Sequence, residues 1–190
     1  MYYCYCSQIR LEDRFDNDVH NDCLMSVDGT DFRIQQLQPF STRWYSYKFN
    51  GPGLRYEVGL CILSGRIVWI HGPFPPGEWN DITIFRHSLI TFLQPGERVE
   101  TDKGYRGENP AHTRIPDLND TDEVAAMRSR VGLRHETINK RFKQFNCLKN
   151  VWKHDLRFHS ASFRAVAVVT QLLLDDGEVV FEVHYDDSNG

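Results

Sequence analysis

The sequence predicts a mixed α/β fold, a mixed β-sheet with α-helices packed on it. Three observations point there: three strand-like segments come in succession, a helix and one more short strand follow, and two helical segments close the domain. In the first segment Leu24, Ser26 and Asp28 alternate with Met25 and Val27, and the run continues through Phe32 and Ile34, with a break or bend expected at Gly29. YEVGLCIL (56–63) and RIVWI (66–70) read as the next two strands, joined by Ser64-Gly65 as a two-residue hairpin loop. GPFPPG (72–77) is expected to stop the sheet. NDITIFRHSLITFL (80–93) then reads as a helix with Asn80 or Asp81 as N-cap and Ile82, Phe85, Leu89 and Phe92 on one face.

After Pro95-Gly96, ERVETD (97–102) is a short strand that ends in an acid. Residues 103–127 form a long polar insertion with a helical turn near 122–127. From Val131 to Trp152 the period is helical: Ile138, Phe142, Phe145, Leu148 and Trp152 share one broad face, while Glu136, Lys140 and Lys143 share a stripe on the opposite one. Ser160 to Leu174 is apolar nearly all round and belongs in the core. VVFEVHY (179–185) is a final strand or extended segment. The expected division is an irregular lead-in over 1–23, one domain over 24–185, and a tail over 186–190.

A chain of 190 residues, 41% apolar and 25% charged, has the size and composition of a single globular domain. No apolar run approaches the roughly 18 residues that span a bilayer, and MYYCYCSQIRLEDRF lacks the basic, apolar and small-residue order of a secretory signal, so an intracellular protein is expected. Five scattered cysteines, an odd number, argue for a reducing compartment. Cys4, Cys6, His20 and Cys23 are one conceivable zinc set. The single residue between the first two falls outside the usual spacing of about two to four, which favours scattered thiols.

The net charge of −4 is unevenly distributed. Residues 128–164 hold ten Lys or Arg against two acids, a net +8, so the remainder carries −12. Because charge acts over about 8 Å at physiological salt, a phosphate backbone would respond to this local field rather than to the whole-chain sum. A solvated helix face is the competing explanation.

Asp28 lies on the first strand, Asp102 ends the fourth, and Glu136 sits on the later basic helix. If those two strands are neighbours, their carboxylates emerge together and a helix crossing that end adds the third. Two-metal phosphoryl chemistry needs such converging carboxylates, because Mg²⁺ is hard and prefers oxygen ligands. Singly, each acid has a plainer explanation: Asp28 before Gly29 and Asp102 before Lys103-Gly104 as turn residues, Glu136 as a surface acid paired with Lys140. The joint order favours a site.

The phrases SVDGTDFRI (26–34), STRWYSYKFNGPG (41–53), PPGEWNDITIFR (75–86), ETDKGY (100–105) and RHETINKRFKQFNCLK (134–149) resemble the DDE superfamily endonuclease domain of PIF/Harbinger-type transposases, relatives of bacterial insertion-sequence transposases. The resemblance covers roughly residues 24–185. It implies an RNase H-like fold, two Mg²⁺ or Mn²⁺ ions, and hydrolysis plus strand transfer at transposon ends. On the matching motifs Asp28, Asp102 and Glu136 are the catalytic acids, Asp81 is a further metal-site acid, and Lys143 is a lysine expected on DNA phosphate. Lys140, Arg134 and Arg130 join it as expected DNA contacts. Related bacterial transposases often carry an arginine four positions before the glutamate; that position is Gly132 here, between Arg130 and Arg134.

Relatives usually place a helical DNA-binding region ahead of the first acid, and only 27 residues precede Asp28. A fragment, a decayed copy, and a protein that relies on a separate DNA-binding partner all stay open, as does a homo-oligomer. The expected partner is DNA, at transposon ends or target, in the nucleus if the source is eukaryotic. The competing function is a catalytically inactive, transposase-derived DNA-binding or scaffold protein.

Overall fold

The computed structural model describes residues 8–15 and 23–178. Its sheet has six strands: β1 (Cys23–Arg33), β2 (Tyr45–Ser46), β3 (Gly51–Cys61), β4 (Ile67–Phe74), β5 (Arg98–Glu100) and β6 (Thr113–Arg114). They run in the order β2-β3-β1-β5-β6, with β4 also paired to β3. β3 is antiparallel to β1 and β4, whereas β5 is parallel to β1 and to β6, which makes the sheet mixed. The helices are α1 (Asp81–His87), α2 (Asp122–Phe142), α3 (Asn146–Lys149) and α4 (His159–Asp175). This is an RNase H-like arrangement, a mixed sheet flanked by helices.

Strict alternation along the two central strands explains the layering. Phe32 and Ile34 from β1 and its end, with Leu54, Tyr56, Val58 and Leu60 from β3, pack against Ile138 and Phe142 of α2 and Phe163 of α4. The intervening residues Met25, Val27 and Cys61 pack against Phe85 and Leu89, next to Val99 and Tyr105. Each face of the sheet therefore has its own apolar cluster and its own helices. Asp28 has the parity of Phe32 and belongs to the α2 face; Gly29 and Asp31 belong to the α1 face.

The strand assignments hold with shifted ends. β1 runs through Gly29 unbroken, paired there with Glu57. The hairpin after β3 is longer than two residues: the Cys61 N–H donates to the Arg66 carbonyl at 2.9 Å, leaving 62–65 outside the ladder, with Gly65 at a φ of 71°. GPF does not stop the sheet, since Phe74 still pairs with Arg55. Among the described residues β4 pairs only with β3, and a proline is tolerated in a strand with one side unpaired.

Among the helices, the stretch after Pro75-Pro76 gives α1 and then a separate 3-10 turn, Leu89–Phe92, whose Phe92 is largely exposed. α2 begins at Asp122, well before the expected Val131, because Thr121 accepts a bond from the Val124 N–H and caps it there. It ends at Phe142. Ten more helical residues would travel about 15 Å away from the sheet. The chain turns instead, so that Leu148 of α3 and Trp152 reach the same cluster as Ile34, and Trp152 and Ile34 form a β-bridge. α4 is not buried all round, for Val169, Leu172 and Leu173 are exposed.

The insertion after β5 contains a 3-10 turn, Lys103–Glu108, and β6. Part of the lead-in is packed down, since Arg14 is buried and its Nε donates to Glu97 at 2.7 Å. VVFEVHY and Cys4, Cys6 and His20 lie outside the described residues; Cys23 is buried and forms no disulfide among the described residues. Among the described residues no helix is long and apolar enough to cross a membrane.

Candidate active site

The parallel pairing of β1 with β5 determines where two of the acids stand. Ser26 is in register with Glu100, where the pairing ends, and two residues further along each chain Asp28 and Asp102 line the same cavity, near enough for the Asp102 charge to act on Asp28. Asp28 is half-buried, and its carboxyl is pushed upward mainly by that burial and further by the Asp102 charge, against the pull of Lys48. Asp102 lies just past the strand and is exposed. It caps the 3-10 turn that follows, its Oδ1 accepting from the Gly104 N–H at 2.8 Å.

Glu136 comes from α2, which is pinned to β1 one residue earlier. His135 Nε2 lies 2.9 Å from Ser26 Oγ, and burial pushes this imidazole down to about 4, so the bond joins neutral partners. The Glu136 side chain is 66% exposed and stands 3.9 Å from Lys140 Nζ. Asp28, Asp102 and Glu136 line one cavity of ≈ 290 Å³, whose wall also carries Glu100, Arg128 and His135.

Asp81 approaches β1 from the other side, the α1 face. A Cβ on Gly29 would stand 2.0 Å from Asp81 Oδ1, so the carboxylate occupies the space that the missing side chain leaves. Asp81 does not cap α1: Asn80 does, accepting from the Thr83 N–H at 2.9 Å. Asp81 Oδ1 is buried without a hydrogen bond and has Arg55 Nη1 at 3.4 Å. Burial pushes this carboxyl up, Arg55 and Lys48 pull it down, and Asp28 raises it again.

Beneath Asp81 is a buried polar group that the sequence reading did not single out. Arg55 donates to both oxygens of Asp31, at 2.7 and 2.9 Å, and the Ser46 hydroxyl adds a bond at 2.5 Å. Glu57 is fully buried, takes a 2.9 Å bond from Trp69 Nε1, and is pushed up to about 8 chiefly by burial. Tyr105 completes the floor, its phenol driven well above the usual range by burial and by the carboxylates of Glu57, Asp81, Asp28 and Asp102. The available signal was parity: Asp31, Arg55 and Glu57 interrupt apolar strands at positions sharing the face of Gly29.

The expected DNA contacts separate into two groups. Lys140 is 80% exposed, and Arg130 and Lys143 also face solvent. Arg134 does not, being buried at 4% exposure with its guanidinium on the Ile62 carbonyl. That contact ties α2 to the end of β3.

Among the described residues, no three His, Cys, Asp or Glu side chains gather closely enough to hold a metal ion. The donor chemistry nevertheless suits a hard divalent cation: carboxylate oxygens only, two of them mutually repelling and a third with a buried oxygen that lacks a hydrogen bond.

No curated protein and no solved structure matches the chain. A family model, described as DDE superfamily endonuclease, matches residues 27–171, from within β1 through most of α4, and takes in Asp28, Asp81, Asp102 and Glu136. The chain belongs to the DDE superfamily endonucleases.

Proposed function

We propose that this domain is a divalent-metal-dependent DNA endonuclease of the PIF/Harbinger transposase type, cutting phosphodiesters and joining the ends, with Asp28, Asp102 and Glu136 as its catalytic acids. The observation that carries this reading is the β1–β5 register, which sets Asp102 beside Asp28 on the wall that Glu136 also lines. Asp28 and Asp102 would hold Mg²⁺ or Mn²⁺ between them, with Asp81 as a further ligand from the α1 face and Glu136 closing from α2. Bound there, such ions activate an attacking oxygen and stabilise the leaving one. The chain's own part is positioning. Ser26 and His135 hold α2 against β1, Arg55 holds Asp81 against Gly29, and Lys48 offsets the charge of Asp28 and Asp81.

One observation favours the second reading, a DNA-binding protein that does not cut: Glu136 is turned to solvent and paired with Lys140. A plasmid-nicking assay decides between them. Nicking with Mg²⁺ or Mn²⁺ that is abolished by chelator and by Asp28→Asn supports the endonuclease. DNA binding without nicking in either metal supports the scaffold.

A further inference from the structure

We propose that a second cavity, on the other side of Asp28, binds the phosphodiester backbone of the DNA strand through Arg33, Lys48 and Lys149, beside Lys143, for which the family resemblance already implies a phosphate contact. The inference takes its substrate class from the endonuclease reading. The cavity measures ≈ 320 Å³ and shares Asp28 with the one that Asp102 and Glu136 line. Its cations come from distant parts of the chain: Arg33 ends β1, Lys48 lies between β2 and β3, Lys143 follows α2, and Lys149 ends α3.

Charge accounting points to an anion. Two acids line the cavity, but Asp31 is already satisfied by two bonds from Arg55 and one from Ser46. That leaves four cations around Asp28 alone. Among the described residues none of the four is held in an ion pair, and all are exposed. Lys48 and Arg33 both act against the charge of Lys143, beyond the effect of its partial burial, whereas Asp31 and Asp28 support it. Like charges crowded in this way are relieved by a polyanion.

The cationic groups are also held in place. Phe49 lies over Gly53, where a Cβ would meet its ring at 2.6 Å, and the Arg33 guanidinium sits 4.6 Å above the Phe49 ring. Lys48 Nζ donates to the Gly29 carbonyl at 2.5 Å, and Lys143 Nζ lies 5.8 Å over Phe32. Four cations spread around an open cavity suit the spaced phosphates of a strand better than one small ion. Because Asp28 borders both cavities, a strand lying in this one presents its next phosphodiester at the acids. These contacts differ from those of Lys140 and Arg130 elsewhere on α2.

The test is binding of a labelled DNA duplex by the full chain in chelator, so that no cleavage intervenes, across a salt series. Arg33→Ala with Lys149→Ala should weaken binding roughly tenfold or more at about 0.1 M salt and lower the salt slope by about two units. Arg33→Lys with Lys149→Arg should restore both, and a thermal melt of the alanine pair that matches the parent excludes a folding defect as the cause of its loss. Arg43→Ala with Lys153→Ala removes the same charge outside the cavity and should change binding much less. Equal losses from the two alanine pairs, or no loss from the first, overturn the proposal. The nicking assay reports separately: a protein that shows the cavity-specific loss but never nicks keeps this binding site and loses only the endonuclease reading.

Discussion

Gly29 and Asp81 fit together as a missing side chain and the carboxylate that fills its place, for a Cβ on Gly29 would lie 2.0 Å from Asp81 Oδ1 and 2.9 Å from its Cγ. The backbone at Gly29 is ordinary extended strand, so the requirement is spatial. Gly29→Ala should push Asp81 off Arg55 and cost about 1–3 kcal/mol, as overpacking does. Urea unfolding reads the cost. In an Asp81→Ala background the penalty should shrink; an equal penalty in both backgrounds would show that the contact is not what excludes a side chain.

Arg55 and Asp31 form the best-made ion pair near the site, with both residues buried and two bonds between them. Removing one partner strands the other. Arg55→Ala or Asp31→Ala should each destabilise by about 3–5 kcal/mol, whereas Arg55→Met with Asp31→Leu should cost far less than the two single losses added. Additive losses in a double-mutant cycle would remove the pair's claim to act as a unit. Arg55→Met with Asp31→Leu should still impair nicking, because Asp81 loses Arg55, its one cationic contact within ion-pair range among the described residues.

Glu57 gives the domain a pH dependence of defined sign. Its carboxyl, pushed up to about 8 by burial, keeps its proton in the fold at pH values where an unfolded glutamate has lost it. The folded state then binds more protons than the unfolded one, so stability is greatest below the unfolded value and falls as pH rises toward 8, by at most about 1.4 kcal/mol per pH unit. His135 and His159, both lowered to about 4 by burial, act oppositely and lose stability as pH falls from about 6.5. Above pH 7 the histidines contribute little, and the difference between parent and variant melts separates Glu57 from Asp28, Asp81 and Glu100, whose carboxyls burial also pushes up. Glu57→Gln should flatten that decline, and an undiminished slope in the variant would assign it to another group.

The order of the main strands and helices was legible because alternation on β1 and β3 and the apolar face of α2 are strong periodic signals, and they put Asp28 on β1 and Glu136 on α2, while Asp102 falls just past β5 and the two-residue strands β2 and β6 gave no periodic signal. What was not legible depended on tertiary contact. Nothing local shows that Trp152 turns back to pair with Ile34 or that Arg134 is spent on the Ile62 carbonyl, whereas the start of α2 at Asp122 had a local signal, the Thr121 cap, that a reading by apolar period passes over. Of the two cap candidates before α1, Asn80 caps the helix and Asp81 does not, while Asp102, expected as a strand end, caps the turn after β5, so the capping aspartate is Asp102 and not Asp81.

That exchange sharpens the question of which aspartate matters most to a metal. Asp102 spends Oδ1 on the Gly104 N–H, and an asparagine there keeps a carbonyl oxygen for the same bond, so Asp102→Asn removes charge without removing the cap. It also removes one of the charges that add to the effect of burial in raising the Asp28 carboxyl. Asp81 is tied to Arg55 and reaches β1 from the face opposite α2. With Asp102 and Glu136 on one cavity wall with Asp28, Asp102 is the expected core ligand and Asp81 the outer one. The parent domain should gain thermal stability in millimolar Mg²⁺ or Mn²⁺, about 2.7 kcal/mol when the ion is at 100 times its Kd. Asp102→Asn should fold, melt near the parent in chelator, and lose both the metal-dependent gain and nicking. Asp81→Asn should keep part of each. If Asp81→Asn abolishes both while Asp102→Asn retains them, the two residues exchange roles, and a parent melt that is indifferent to either ion removes the metal site altogether.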